Sequence, residues 1–312
     1  MTLQQLKYIV ALEAHRHFQR AAESCFVAQP TLTLQVQKLE EELGIQIFDR
    51  TEFPIQPTEL GLKIIEQAKK ALFCAEAIYS ITKNERDSLD GTFRVGVIPT
   101  VAPYLLPLFI KSFTEKHPNS HLEIREMQSE RIIDALKTNE LDLAIMATPI
   151  EMEELREIPL YQEPFLLFAQ PFHELMSLKR IKAENLKADE IWILDEGHCL
   201  RNQVLNLCES NQGIDNQGFS FKSGSIETLK NMIKYHSGYT IIPELAARLT
   251  DDKKFIRRFE DPQPSREIGL VCHQNFARQQ LLITLKETIQ SSLPDEVSQI
   301  KKYYSLKWRD RL

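Results

Sequence analysis

The stretch Phe18-Gln19-Arg20-Ala21-Ala22-Glu23-Ser24-Cys25-Phe26-Val27-Ala28-Gln29-Pro30-Thr31-Leu32-Thr33-Leu34-Gln35-Val36-Gln37-Lys38-Leu39-Glu40-Glu41-Glu42-Leu43-Gly44 sets the architecture of the amino-terminal end. Phe18, Ala21, Ala22 and Cys25 share one face of a short helix. Phe26 to Ala28 break it. Pro30 then stands at a first helical position, where its missing N–H is no loss. Leu32, Val36, Leu39 and Leu43 recur at helical spacing as a buried stripe, and Gly44 ends the second helix. Two helices joined by so short a turn predict a helix-turn-helix.

The flanks extend this reading. Thr2 and Gln5 have capping-box spacing ahead of an apolar face of Leu3, Leu6 and Val10. Ile45 to Thr58 alternates loosely and is broken by Pro54 and Pro57, the pattern of a two-stranded wing. Beyond it, Ile64, Ala68, Ala71, Ala75 and Ile78 repeat at a 4-3-4-3 spacing with no Gly or Pro between Lys63 and Ser88. Such a seam serves either a dimerising linker or a core helix, and we assign it to the linker.

From Thr92 strands alternate with helices. Strands are expected at Phe93–Ile98, His121–Glu126, Leu141–Met146, Phe165–Ala169, Ile191–Leu194, Gly218–Phe221, Tyr239–Ile242 and Ile268–Cys272. Helices are expected at Leu105–Glu115, Arg131–Lys137, across the segment from Cys199 to Cys208, at Ile226–His236 and at Leu281–Ser291. The alternation predicts parallel βαβ units in two α/β lobes, with the chain crossing near 162 and returning near 266. The fold class is α+β and multidomain. A winged helix-turn-helix covers 1–58, a linker helix 59–88, and a two-lobed α/β effector domain 89–312. Lobe I spans about 91–162 plus 267–300, and lobe II about 163–266. The basic-aromatic tail Lys301–Leu312 is expected to be poorly ordered.

The chain has 312 residues, 43% hydrophobic and 26% charged, with a net charge of −6. These values fit a soluble globular protein. No signal-peptide pattern and no apolar run long enough for a membrane span is seen, so a cytoplasmic, thiol-reducing location is expected. Five cysteines without metal-ligand spacing predict neither a disulfide framework nor a metal or other cofactor. The acidic balance argues against nucleic-acid binding by the whole surface but leaves room for a local face. Residues 1–58 hold five Lys and Arg against seven Asp and Glu. Opposite the apolar stripe, the second helix of the turn carries Pro30, Thr33, Leu34, Gln37 and Lys38, side chains suited to base edges and phosphates. Gln29 and Thr31 lie at the helix start, where unpaired amides favour phosphate.

Within His198-Cys199-Leu200-Arg201-Asn202-Gln203-Val204-Leu205-Asn206-Leu207-Cys208, the residues Leu200, Val204 and Leu207 form a helical stripe. On a helix, nine steps separate the two cysteine Cα atoms by about 13–14 Å along the axis and put the sulfurs on opposite faces. A disulfide needs Cα atoms roughly 4.4–6.8 Å apart, so these thiols join only if the helix melts. Cys199 begins the helix, where the dipole favours thiolate; Arg201 adds positive charge nearby, and His198 is placed to hydrogen-bond. Other readings stand beside these. Cysteines in such a chain are commonly inert core residues, the reading kept for Cys25, Cys74 and Cys272. Thr100 fits a helix cap, Arg266 a surface position, and His198 a turn.

Ala21-Ala22-Glu23, Ala28-Gln29-Pro30-Thr31-Leu32-Thr33, Gln37-Lys38-Leu39-Glu40, Leu43-Gly44-Ile45-Gln46-Ile47-Phe48-Asp49-Arg50 and Thr58-Glu59-Leu60-Gly61 resemble the amino-terminal module of LysR-type transcriptional regulators. Leu194-Asp195-Glu196-Gly197-His198-Cys199-Leu200-Arg201 with Cys208, Val97–Pro107 and Ser225–Met232 resemble that family's peroxide-sensing OxyR subfamily. The resemblance implies a homodimer or homotetramer that binds double-stranded DNA through Gln29, Pro30, Thr31, Thr33, Gln37, Lys38 and Arg50, and that works with RNA polymerase as an activator. It implies Cys199 as the peroxidatic and Cys208 as the resolving cysteine of a hydrogen-peroxide sensor. Thr100, Ser129, His198, Arg201 and Arg266 would surround the peroxide, with thioredoxin or glutaredoxin as reductant. A regulator binding a small metabolite between the lobes, with silent cysteines, is the alternative. A two-cysteine thiol peroxidase leaves the helix-turn-helix without a purpose. Three positions depart from the pattern. Ser129 stands where threonine is common, Asn202 replaces an acidic residue and removes a negative charge near Cys199, and Ala28 replaces a serine that would cap the helix or contact phosphate.

Overall fold

Local signals set the helix ends in the amino-terminal unit. Helix α1 (Leu3–His15) starts on the capping box: Thr2 Oγ1 accepts from the Gln5 amide at 3.2 Å, and Gln5 Oε1 accepts from the Thr2 amide at 2.8 Å. Helices α2 (Phe18–Ser24) and α3 (Gln29–Leu43) form the helix-turn-helix, with Pro30 in the first turn of α3 and Gly44 left-handed after its end. Strands β1 (Phe48–Asp49) and β2 (Gln56–Pro57) pair antiparallel as the wing. A buried carboxylate ties the wing to α3: Glu40 accepts from the amides of Ile47 at 2.8 Å and Phe48 at 3.1 Å, and from Arg50 Nη2 at 2.6 Å. Helix α4 (Glu59–Lys83) follows. Gly61 lets it pass under the wing, because a Cβ there would lie 2.0 Å from the Ile47 carbonyl oxygen.

The α4 seam is used differently from expectation. Ile65 and Ala68 are buried with Leu6, Ile9 and Leu12 in this unit's own core, while Ala71 is exposed. A 3.6-residue helix with a second apolar row turns Ala68 toward α1, where Lys69 also pairs with Glu13 at 3.5 Å. The Ile78 side chain lies outside the described residues.

The computed structural model describes residues 1–51, 54–83, 89–208, 223–247, 252–298 and 303–308. The chain divides into two compact units, Met1–Asp87 with Lys137–Asn139, and Ser88–Leu136 with Glu140–Leu312. The second unit contains β3 (Gly91–Val97), α5 (Ala102–Lys116), β4 (Ser120–Glu126), α6 (Ser129–Lys137), β5 (Leu143–Thr148), β6 (Leu155–Ala169), α7 (Cys199–Leu207), α8 (Ile226–Tyr235), β7 (Tyr239–Pro243), β8 (Ile256–Arg258), β9 (Gln263–His273), α9 (Gln279–Ser292), α10 (Asp295–Ser298) and β10 (Tyr303–Ser305). The strand order is β4-β3-β5-β9-β6-β7, with β8 on β6 and β10 on β9.

The βαβ expectation holds for β3, β4 and β5, which are parallel. The two long crossing strands depart from it: β9 runs antiparallel to both β5 and β6. Strand β6 changes partner along its length. Leu155 to Pro164 pair with β9, and Phe165 to Ala169 pair with β7. Glu163 thereby lies directly opposite Arg266 at the changeover.

Two expectations need correction. Ile191–Leu194 is not a strand; it makes one bridge, Ile191 to Tyr239, and the Thr240 hydroxyl takes the Trp192 carbonyl at 2.7 Å, an acceptor a ladder would otherwise use. The tail is not loose where it is described: β10 adds in parallel to β9, and Trp308 is buried. The expected strand Gly218–Phe221 lies outside the described residues. Among the described residues no helix is long and apolar enough to cross a membrane.

Candidate redox site and nucleic-acid interface

The stripe of Leu200, Val204 and Leu207 folds as α7 and is buried, so the two thiols bracket one helix. Cys199 is its first residue. Cys208 caps its other end, its amide donating to the Val204 carbonyl at 3.1 Å. Nine residues at 1.5 Å rise set the two ends about 13–14 Å apart along the axis. Both thiols are free, and their surroundings differ. Cys199 is 2% exposed, within the field of Arg266 and accepting a hydrogen bond from Ser129. Cys208 packs on the apolar core near Tyr239.

Arg266 organises the Cys199 side. Its guanidinium is fully buried and held by three acceptor groups from two separate parts of the chain, Glu163 and Thr100. Nε and Nη2 reach Glu163 Oε2 at 2.9 and 2.8 Å; Nη1 donates to Thr100 Oγ1 at 2.9 Å; Nη2 donates to the Thr100 carbonyl at 3.0 Å. The Leu245 amide donates to Glu163 Oε1 at 3.0 Å. Among the described residues the Glu163 carboxyl takes three donors, two from Arg266 and one from Leu245, the arrangement of an ion pair. Burial pushes the Glu163 carboxyl above its ordinary range, and Arg266 and the Leu245 amide oppose that rise. Thr100 sits in the turn between β3 and α5. It caps nothing, since Val101 occupies the cap position, and it is positioned by Arg266 instead. Ser129, buried, is the first residue of α6.

The balance at Cys199 corrects the expectation of a depressed thiol. Burial raises its pKa above the ordinary thiol value; Arg266, the Ser129 hydroxyl and the amides of Leu200 and Cys199 pull it back down without cancelling the rise. Cys208, without such partners, is pushed up to about 11 by burial alone.

The structure therefore gathers Thr100, Ser129, Cys199 and Arg266. Arg201 goes elsewhere: its Nη1 donates to the Leu194 carbonyl at 2.8 Å, and the cation acting on Cys199 is Arg266, brought by strand pairing rather than by proximity in sequence. His198 is the α7 cap residue, although its ring makes no cap hydrogen bond, and it is buried against Gly224, where a Cβ would lie 2.8 Å from its Nε2. Burial holds its pKa below the ordinary histidine value, against Asp195 and Glu126. The surface reading of Arg266 is excluded by its burial. Of the remaining cysteines, Cys272 is buried on β9 and Cys25 is half-buried, but Cys74 is exposed on α4 and is not a core residue. Glu163 and Tyr161 escaped the sequence reading. Tyr161 is two residues before Glu163 on β6, and its buried hydroxyl has no partner among the described residues. The available signal was a carboxylate entering the apolar run Phe165 to Ala169. Among the described residues no cluster of His, Cys, Asp and Glu is fit to hold a metal ion.

On the first unit, Gln29, Pro30, Thr31 and Lys38 are exposed along α3, Leu34 is half exposed between them, and Gln37 is partly exposed. Ala28 leaves the start of α3 without a side-chain cap, which keeps those amides open. Thr33 turns its hydroxyl inward, where it has no partner among the described residues. Arg50 is engaged within the fold, bonded to Glu40 and lying over the Phe18 ring at 5.7 Å.

Residues 3–62 match the family described as bacterial regulatory helix-turn-helix protein, lysR family, and residues 86–294 match the LysR substrate binding domain. A hydrogen peroxide-inducible genes activator of Haemophilus influenzae is 35% identical over 96% of this chain and 98% of its own length. The DNA-binding transcriptional dual regulator OxyR of Escherichia coli is 33% identical over 97% of this chain and 99% of its own. A full-length OxyR from Pseudomonas aeruginosa carrying a cysteine-to-aspartate substitution superposes with a TM-score of 0.79 at 33% identity, covering 93% of this chain and 98% of that one. An OxyR of Corynebacterium glutamicum with a cysteine-to-serine substitution and bound hydrogen peroxide gives a TM-score of 0.61 at 28% identity, covering 93% and 92%. With the helix-turn-helix, the two-lobed domain and both family models in agreement along its length, the chain belongs to the LysR family of transcription regulators, in its OxyR branch, and is a regulator rather than an enzyme.

Proposed function

We propose that the protein is a hydrogen-peroxide-sensing, DNA-binding transcriptional regulator switched by a reversible Cys199–Cys208 disulfide. The observation that carries this reading is the asymmetry across α7: Cys199 in a buried polar pocket with Arg266 and Ser129, Cys208 in apolar packing at the other end of the same helix. At rest the buried Cys199 thiol is mostly protonated. Once it loses its proton, Arg266 and Ser129 stabilise the thiolate. The sulfur attacks one peroxide oxygen, the O–O bond breaks, and the departing hydroxide takes up the thiol proton, leaving water and a sulfenic acid. Thr100 accepts from Arg266 through its oxygen, so its O–H is available to donate to the peroxide. The Cys208 thiol then attacks the sulfenic sulfur; the S–S bond forms and a second water leaves. Two thiols lose two electrons and one peroxide gains them. A dithiol reductant of the thioredoxin or glutaredoxin type reverses the change.

Joining the sulfurs unwinds α7, and the repacking of the core against it alters subunit geometry and hence the grip on DNA. The exposed face of α3 reads double-stranded DNA, with Gln29, Pro30, Thr31, Gln37 and Lys38 in contact. Arg50 supports that helix from within the fold through Glu40, and Thr33 faces inward. The exposed Ala71 with half-exposed Leu60 and Leu62 supports pairing of α4 across a dimer or tetramer. In this scheme 1–58 binds DNA, 59–88 links and dimerises, and 89–312 senses, in the cytoplasm and upstream of RNA polymerase.

The test is thiol mapping. Reduced protein is given one equivalent of hydrogen peroxide, alkylated and digested. Protection of Cys199 and Cys208 together, with Cys25, Cys74 and Cys272 alkylated, is the expected result. Joint alkylation of both, or a Cys199→Ser variant that keeps the full peroxide response, overturns the reading.

A further inference from the structure

The face shared by α7 and the edge of β9 is an occupied docking surface, and its occupant is the chain's own carboxy-terminal segment. Asn202 Nδ2 donates to the Trp308 carbonyl at 3.1 Å, Gln203 Nε2 to that of Leu306 at 3.0 Å, and Asn206 Nδ2 to that of Lys307 at 3.0 Å. Three amide side chains on one side of α7 thus hold three consecutive backbone carbonyls. The other side of the segment is fixed to the sheet. Tyr303 to Ser305 pair in parallel with Gln263 to Ser265, the Leu306 amide donates to the Ser265 carbonyl at 2.8 Å, and the buried Trp308 indole donates to the Ala147 carbonyl at 3.1 Å. Lys307 reaches Glu151 at 2.9 Å.

We propose that residues 303–308 are a redox-released strap that keeps α7 wound in the reduced protein and sets how readily the Cys199–Cys208 disulfide closes. The proposal rests on the disulfide reading for its second half only. Every donor that α7 offers the strap lies between the two cysteines. Closing the disulfide unwinds that interval, so the three bonds are lost together; the strap keeps its strand pairing at Tyr303 to Ser305, and its Trp308 end comes away from the Ala147 carbonyl. None of these bonds involves Cys199, Ser129 or Arg266, so the strap acts on closure and not on the attack of sulfur on peroxide. The same geometry accounts for Asn202, which stands where the subfamily resemblance leads to an acidic residue. A carboxylate has no proton to give the Trp308 carbonyl and would repel it.

Two variants of the reduced full-length protein test the hold on α7 without peroxide. Trp308→Ala removes the buried anchor and alters no α7 side chain. Asn202→Asp with Asn206→Asp removes two donors and keeps the anchor. Each is expected to raise amide hydrogen exchange across residues 200–207 by about ten- to thirtyfold, the worth of two hydrogen bonds, with β3 and β4 unaffected. After one equivalent of peroxide, both are expected to close the disulfide about tenfold faster, while sulfenic acid formation in a Cys208→Ser background keeps its rate. Unchanged α7 exchange in both variants overturns the strap. The chain has two tryptophans, so Trp192→Phe leaves Trp308 as the reporter. Its emission is expected to shift to the red on oxidation, and a mapped Cys199–Cys208 disulfide with unmoved emission overturns the release. If no disulfide forms, it is the peroxide reading that fails, and the reduced-state exchange still decides whether the strap holds α7.

Discussion

Replacing Arg266 by Met separates what this residue does for the fold from what it does for the thiol. Met keeps the length of the side chain and removes its charge. The loss is four short contacts, two to Glu163 Oε2 at 2.8 and 2.9 Å and two to Thr100 at 2.9 and 3.0 Å. Glu163 is left buried with, among the described residues, only the Leu245 amide, and orphaning one partner of a buried pair costs about 3–5 kcal/mol. Adding Glu163→Gln removes the orphaned charge while its side-chain oxygen still accepts from Leu245. The double variant is therefore expected to recover more than half of the loss in urea unfolding followed by circular dichroism. Cys199 gains nothing from the second change, because the cation opposing its burial is absent in both, and its alkylation stays slow in both.

The pH dependence of the single variant follows. Without Arg266 the folded-state pKa of Glu163 climbs further above its ordinary value of roughly 4.3. A raised acid favours the fold when it takes up its proton. The deficit is therefore largest above the folded pKa and narrows as the pH falls toward the ordinary carboxyl range. A double variant as unstable as the single one, or a deficit that does not change with pH, refutes Glu163 as the orphaned charge.

Three further outcomes are expected. Ser129→Ala removes a donor to the Cys199 sulfur, so the thiol pKa rises further and alkylation of Cys199 at pH 8 slows about tenfold, with Cys25 as internal control. Gly61→Ala drives a Cβ against the Ile47 carbonyl and destabilises the amino-terminal unit by about 2–3 kcal/mol, whereas Gly44→Ala, with open space but φ of 69°, costs about 1 kcal/mol; melting of the two variants measures the difference. Lys38→Ala weakens DNA binding across sequences and lowers the slope of affinity against salt by about one unit in a titration series, if the exposed face of α3 lies against phosphates.

What the sequence disclosed was local. The Thr2 and Gln5 cap, Pro30 at the start of α3, Gly44 at its end and the Leu200–Leu207 stripe each act within one or two turns, and each folds as its spacing implies. What it concealed was brought together by pairing over long separations. Arg266 meets Glu163 only because β9 lies antiparallel on β6 in one register, and a shift of one residue would turn Arg266 to the other face. Arg201, close to Cys199 in sequence, serves the Leu194 carbonyl. The tail reads as basic and aromatic, yet its backbone carbonyls, invisible in composition, find the amides of α7. The α4 seam divides: Ala68 faces the core of its own unit while Ala71 stays exposed, and spacing alone does not say which positions turn inward.

In the switch we propose, α7 keeps the two sulfurs apart until an oxidant unwinds it. Amide hydrogen exchange across residues 200–208, measured on reduced protein and on protein whose Cys199–Cys208 disulfide has been verified by mapping, tests it most directly. Protection in the reduced form and its loss in the oxidised form is the predicted pair of results. A verified disulfide on a helix whose amides remain protected would show that the sulfurs join without unwinding α7.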